Sequence, residues 1–80
     1  MNIQLIEGEF NSNDALELIT RMIHVKIKYH ESKINTTGNE EDMKRRENKI
    51  IKLQKDLFEL RNNIGSIAKG VKMNAIINIE

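Results

Sequence analysis

Residues Met43–Val71, MKRRENKIIKLQKDLFELRNNIGSIAKGV, carry the pattern that decides the fold. Met43, Ile50, Leu57, Ile64 and Val71 recur every seven residues, and Leu53, Leu60 and Ile67 take the matching d positions, with Arg46 the one polar member. A seven-residue apolar period keeps one seam of a helix turned toward a partner helix. Ile51 and Phe58 lie beside the seam and widen it. Lys69 and Gly70 read as a helix end, a base in the last turn followed by a residue suited to a left-handed cap. The pattern predicts a helix over residues 40–69. Its first turn holds three acids, each with a base four residues on: Glu40 with Lys44, Glu41 with Arg45, Asp42 with Arg46. Acid before base is the favourable order for such pairs.

Upstream, Asn35-Thr36-Thr37-Gly38-Asn39 is rich in residues that cap helices and tolerate positive φ, so the chain is expected to reverse over residues 35–39. Before it, residues 12–35 contain neither Gly nor Pro. Leu16, Ile19, Ile23, Ile27, His30 and Ile34 recur there at spacings of three and four, one apolar stripe of a helix. Ala15, Leu18, Met22, Val25 and Tyr29 make a second stripe, rotated by about a third of a turn. Asn11, Ser12 and Asn13 offer N-cap side chains ahead of Asp14. An apolar arc this wide exceeds what one partner helix covers, and a second packing surface is implied. The expected surface is a dimer interface made by Leu18, Met22, Val25, Tyr29, Ile51 and Phe58.

The chain ends read as strands. Residues 2–6 alternate, with Ile3 and Leu5 on one face until Gly8 breaks the run. Residues 73–79 are rich in Ile, with Ala75, Ile77 and Ile79 on one face. Both segments finish at the same end of the hairpin. Because a lone pair of strands is marginal, pairing across a dimer is expected. The fold class is therefore mainly α: an antiparallel two-helix hairpin, coiled-coil-like, with short terminal β-strands, dimerising into a four-helix bundle.

In the expected antiparallel register, facing positions sum to about 77, which sets Ile27 near Ile50, Ile23 near Leu53 and Ile19 near Phe58. The same register brings His30 to Arg46 and Glu47. A polar layer of His30, Arg46 and Glu47 is predicted there, with His30 hydrogen-bonded to Glu47 and the layer fixing register.

Eighty residues make one domain that needs help to be stable, and no cysteine is present to supply a disulfide. Self-association is the remaining source of burial. Thirteen basic and twelve acidic residues leave a net charge of +1, so no long-range field favours nucleic acid or anionic lipid. Residues 1–10 lack a basic leader segment, and no apolar run approaches the roughly 18 residues of a membrane span. A cytoplasmic protein without a membrane partner is expected.

Chemistry has little to stand on. His24 and His30 sit about 120° apart on their helix, unlike a zinc-binding pair four residues apart, and Glu17, His24 and Glu31 read as a solvated stripe, so neither metal nor cofactor is expected. No phosphate loop, nucleophile elbow or catalytic triad is recognisable. Lys44, Arg45, Arg46 and Lys49, facing Lys26, Lys28 and Lys33, are candidate phosphate contacts at the loop end, although acids are interspersed and base-stacking aromatics are nearly absent. Arg21, Lys33 and the Arg45-Arg46-Glu47 stretch resemble the basic and acidic positions of the all-helical chorismate mutases, and by that resemblance Arg21 and Lys33 would bind carboxylates. The third helix that completes the pocket in those enzymes is lacking here. The strand-helix-helix order is similar to that of the ribbon-helix-helix DNA-binding dimers, though both helices are much longer and Gln4 is the only good base-reading side chain in the ribbon position. The expected role is a non-enzymatic homo-oligomeric structural or protein-interaction module. A nucleic-acid accessory protein is the alternative, and a small helical enzyme with a pocket between subunits is more remote.

Overall fold

The computed structural model describes residues 1–64 and 70–80. Four elements follow one another: β1 (Asn2–Phe10), α1 (Ser12–Thr36), α2 (Glu40–Ile64) and β2 (Val71–Asn78). The expected continuation of α2 over 65–69, with Ile67 in the seam and Lys69 as the base of the last turn before Gly70, lies outside the described residues.

α1 starts where its cap chemistry dictates. Asn11 has an extended backbone, its Oδ1 accepts the Asp14 N–H at 2.8 Å, and its Nδ2 donates to Asp14 Oδ2 at 3.0 Å. One side chain thus satisfies a free helix donor and fixes the acid of the first turn. The reversal is shorter than expected, only Thr37, Gly38 and Asn39. It uses no left-handed residue. Thr37 is extended at φ −91° and donates its N–H to the Lys33 carbonyl at 3.0 Å, while Asn39 Oδ1 accepts from the N–H groups of Glu41 and Asp42. Side-chain capping does what a positive-φ glycine was expected to do.

The two helices meet along the expected seams. On α1, Leu16, Ile19, Ile23, Ile27 and Ile34 are half-buried and His30 is buried; on α2, Met43, Arg46, Ile50, Leu53 and Leu60 are half-buried and Leu57 and Ile64 buried.

The strands depart from expectation in three ways. β1 pairs with β2 of the same chain, antiparallel, rather than across a dimer. β1 does not stop at Gly8 but runs to Phe10, opposite Val71; Gly8 stays in the ladder opposite Met73 at φ +139°, a conformation open to a residue without Cβ. Finally, the register shifts between Gln4 and Ile6, leaving Leu5 as the extra residue of a bulge. Ile3 and Leu5 therefore do not share a ladder face. Ile3 and Ile6 do, since they pair with Ile77 and Ala75, two residues apart on β2. Gln4 ties the bulge: its Nε2 donates to the Ile6 carbonyl at 2.7 Å and to Asn74 Oδ1 at 2.6 Å.

The result is thin. The Cα trace measures 47 × 33 × 14 Å, and among the described residues only Ala15, Leu57 and Ile64 are buried apolar side chains. The accessible surface is 6414 Å², against about 5,000 Å² for a compact monomer of this mass. Roughly 1,400 Å² per chain is left uncovered by that measure.

Candidate functional site

Two apolar surfaces lie on opposite faces of the hairpin. Where the ribbon leans over the helices, a hollow of about 450 Å³ opens between Ile6, Met73 and Ala75 of the strands and Ile19, Met22, Ile23 and Leu53 of the helices. Ile23 and Leu53 come together there as the expected register requires. Strand alternation puts Val71, Met73 and Ala75 toward the helices, and Ala15, in the first turn of α1, is fully covered. The other face holds a hollow of about 500 Å³, where Ile27, Leu57 and Phe58 are ringed by His24, Glu31, Gln54 and Arg61. Phe58 thus sits with Ile27, not with Ile19 as the register rule placed it.

This separation divides the expected interface. Leu18, Met22, Val25 and Tyr29 are all exposed, Val25 by 70%, on the outer and ribbon-side flank of α1. Ile51 and Phe58, 61% and 66% exposed, lie about a third of a turn round α2 from Leu57, on the flank away from the ribbon. The six residues form two patches. Ile6, Met73 and Ala75 belong to the first patch; Ile6 was not singled out from sequence, while Ala75 was read only as sharing a strand face with Ile77 and Ile79, and the alternation of Val71, Met73 and Ala75 signals the patch.

The polar layer forms with a different partner. Arg46 Nη1 lies 3.1 Å from His30 Nδ1, and Arg46 Nε donates to Asp42 Oδ2 at 3.1 Å. Glu47 is one residue, about 100°, further round α2 and makes no bond to His30. A guanidinium only donates, so Nδ1 is the acceptor and the ring proton is on Nε2, which is buried without a partner. Burial, then the charges of Arg46, Lys49 and Lys26, push the His30 pKa below its ordinary value. Hydrogen bonds from Arg45 and Arg46 hold the Asp42 carboxyl below its ordinary range. Tyr29 closes the layer from outside, edge-on to His30 with ring centroids 5.5 Å apart and with the Arg46 guanidinium 5.8 Å from its ring centre.

Of the candidate phosphate contacts, Lys44, Arg45 and Lys49 line one shallow depression with Lys52, Asn48 and Glu41. Arg46 is turned away from it, into the layer. Of the pairs expected in the first turn, Asp42 with Arg46 forms; Arg45 is bound by Asp42 instead of Glu41, and Asp56 takes Lys52 at 3.3 Å. Acids therefore neutralise much of this surface. Arg21 is paired with Glu17 at 2.6 Å on the outside of α1, whereas Lys33 Nζ lies 5.7 Å from the Tyr29 ring centre, the ring that Arg46 also approaches, so Arg21 and Lys33 do not converge on one pocket. Among the described residues no three His, Asp or Glu side chains gather as metal ligands, and no helix is long and apolar enough to cross a membrane. No protein-family model matches this chain, and neither a curated protein nor a solved structure is detectably similar to it.

Proposed function

We propose that this protein is a non-enzymatic, self-assembling interaction module, a homodimer in which the helical hairpins of two copies pack through side chains that one copy leaves uncovered. The carrying observation is the uncovered surface: among the described residues three apolar side chains are buried, and one chain exposes roughly 1,400 Å² beyond a compact monomer's share. Covering that area in two copies gives a buried total near 2,800 Å², within the range of obligate homodimers, about 2,000–5,000 Å². The Leu18, Met22, Val25 and Tyr29 stripe is the self-contact. It adjoins the ribbon-side hollow, so a second hairpin set against it extends the existing core. Four helices then lie together.

The test is the mass in solution by light scattering behind size exclusion, across a concentration series. The parent chain is expected to be a dimer, Val25→Glu a folded monomer, and Phe58→Glu a dimer still. Loss of the dimer in Phe58→Glu alone moves the contact to the opposite face. A monomeric parent overturns the reading.

The convergence of Lys44, Arg45, Lys49 and Lys52 supports a second reading, a nucleic-acid accessory role. It requires binding to a mixed-sequence duplex that weakens steeply with salt and is lost in Lys44→Gln/Lys49→Gln. No retention at low salt removes it.

A further inference from the structure

The ribbon has two outer edges, and they are built differently. Along β1 the ladder is interrupted at Leu5, Gly8 takes φ +139°, and Glu7 and Glu9 carry charge. Bulges and charges are the devices that keep an edge strand from recruiting another. β2 has none of the stronger ones. Val71–Asn78 runs eight residues without Gly, Pro or a positive φ, with Lys72 its single charge and Ile76-Ile77 in its second half. One edge is guarded and the other is open.

We propose that β2 pairs antiparallel with β2 of a second copy across a two-fold axis, forming a four-stranded sheet in the order β1-β2-β2-β1. This rests on the homodimer reading and adds where the axis lies. A two-stranded ribbon is marginal in water, and doubling it gives four strands over a helical layer. The contact is symmetric, as a closed dimer requires. With the axis near Asn74 and Ala75, Lys72 of one copy faces the Ile77 end of the other strand, so no like charges oppose. Joining the copies through β1 would instead set Glu7 and Glu9 against their own counterparts wherever the regular part of that strand took part.

The geometry also serves the helices. Antiparallel neighbours in one sheet are related by an axis normal to it, so both hairpins fall on the same face. α1 packs against β2, so in each copy it lies beneath the strand that pairs. Met73, Ala75 and Ile77 continue into the same residues of the second strand as one apolar surface. Ile77, 43% exposed in one chain, is covered there.

The chain has no cysteine, so single cysteines placed at Lys72, Asn74, Ile76 and Asn78 on the outer face of the sheet each take one spin label. Pulsed dipolar spectroscopy then reads the distance between like labels in the dimer. Edge pairing requires a minimum near the middle of β2 and an increase of about 13 Å for each two-residue step away from it, since each strand contributes ~3.3 Å per residue. Hydrogen exchange on the unlabelled chain supplies a readout free of substitution: consecutive β2 amides are expected to be protected, where a lone ribbon protects alternate ones. A dimeric mass with uniformly long distances and alternate protection overturns the edge pairing and leaves the dimer standing. A monomeric mass at every concentration overturns both.

Discussion

Arg46 lies 3.1 Å from His30 across the hairpin, and the pair sits in the apolar seam with the His30 ring buried and its Nε2 hydrogen without an acceptor. Because arginine can only donate, this contact exists only while His30 is neutral.

A pH dependence follows. The pKa of His30 is lowered in the folded chain by burial and by Arg46, Lys49 and Lys26, so between that value and the ordinary 6.5 the unfolded chain binds a proton that the folded chain does not. Stability is full above pH 6.5 and falls as the pH drops through it. Urea midpoints measured from pH 8 to pH 5 are expected to decline, and to decline less in His30→Leu. An equal decline in that variant would place the effect elsewhere.

The same substitution is expected to stabilise the chain at pH 8. It removes an unpaired buried donor, whose cost is about 1–3 kcal/mol, and returns a leucine to an apolar stripe, while Arg46 keeps Asp42. Arg46→Met removes two bonds and leaves Asp42 to Arg45 alone, and a loss of about 1–2 kcal/mol is expected. Denaturant unfolding of both variants checks the signs; a destabilised His30→Leu would mean that the layer is held by something other than the bonds described.

Ala15 gives a packing test. It is fully covered in the first turn of α1, so Ala15→Leu has no room and is expected to cost about 1–3 kcal/mol. Leu57→Ala, in the helical seam, is expected to cost about 2–4 kcal/mol. Exposed Lys55→Ala should be nearly neutral. The contrast is read from unfolding midpoints at equal chain concentration, because the assembly adds to apparent stability.

How much of this was legible in the sequence depends on the kind of information each feature needs. Seams such as Ile23, Ile27 and Leu53 were readable because periodicity alone sets which face of a helix is buried. The split of Leu18, Met22, Val25 and Tyr29 from Ile51 and Phe58 was not. Each stripe fixes the rotation of its own helix, but whether two flanks meet depends on the hand of the hairpin. Register brought both Arg46 and Glu47 to His30, with Glu47 expected as the bonded partner, and the roughly 100° between consecutive residues left Arg46 in the layer instead. Gly8 was read as a breaker from its propensity; a paired strand supplied the neighbour that holds it in the ladder. The Leu5 bulge needs a second strand to be defined at all, so it had no local signature beyond the side chain of Gln4.

Gly8 isolates a backbone effect. Its φ of +139° is one that side-chain-bearing residues rarely adopt, and the nearest atom to an added Cβ is a Phe10 ring carbon at 3.9 Å, an ordinary contact. Gly8→Ala is therefore expected to cost about 1–3 kcal/mol through strain alone, with no clash. Exchange of β1 and β2 amides should rise while the helices keep theirs. A neutral substitution would show that this position relaxes to negative φ without losing the pairing of Glu7 with Asn74 and Glu9 with Lys72.

The bulge allows a test of why the two edges differ. Ile3 and Ile6 share a ladder face although they are three residues apart, because Leu5 is the extra residue; with Leu5 deleted they are two apart, the spacing of a regular strand. The deletion therefore keeps every facing side chain where it is and removes only the interruption. β1 would then offer a bulge-free edge from Asn2 to Phe10, guarded by Glu7, Glu9 and the backbone of Gly8. Association beyond the parent's mass is expected, growing with concentration and reduced when Gln4→Lys is added to restore charge to the straightened edge. Sedimentation velocity on the parent, the deletion and the double variant reads it. A deletion variant with the parent's mass at all concentrations would mean that the acids and Gly8 suffice to guard β1, and that the bulge serves to aim Ile3 and Ile6 and not to protect the edge.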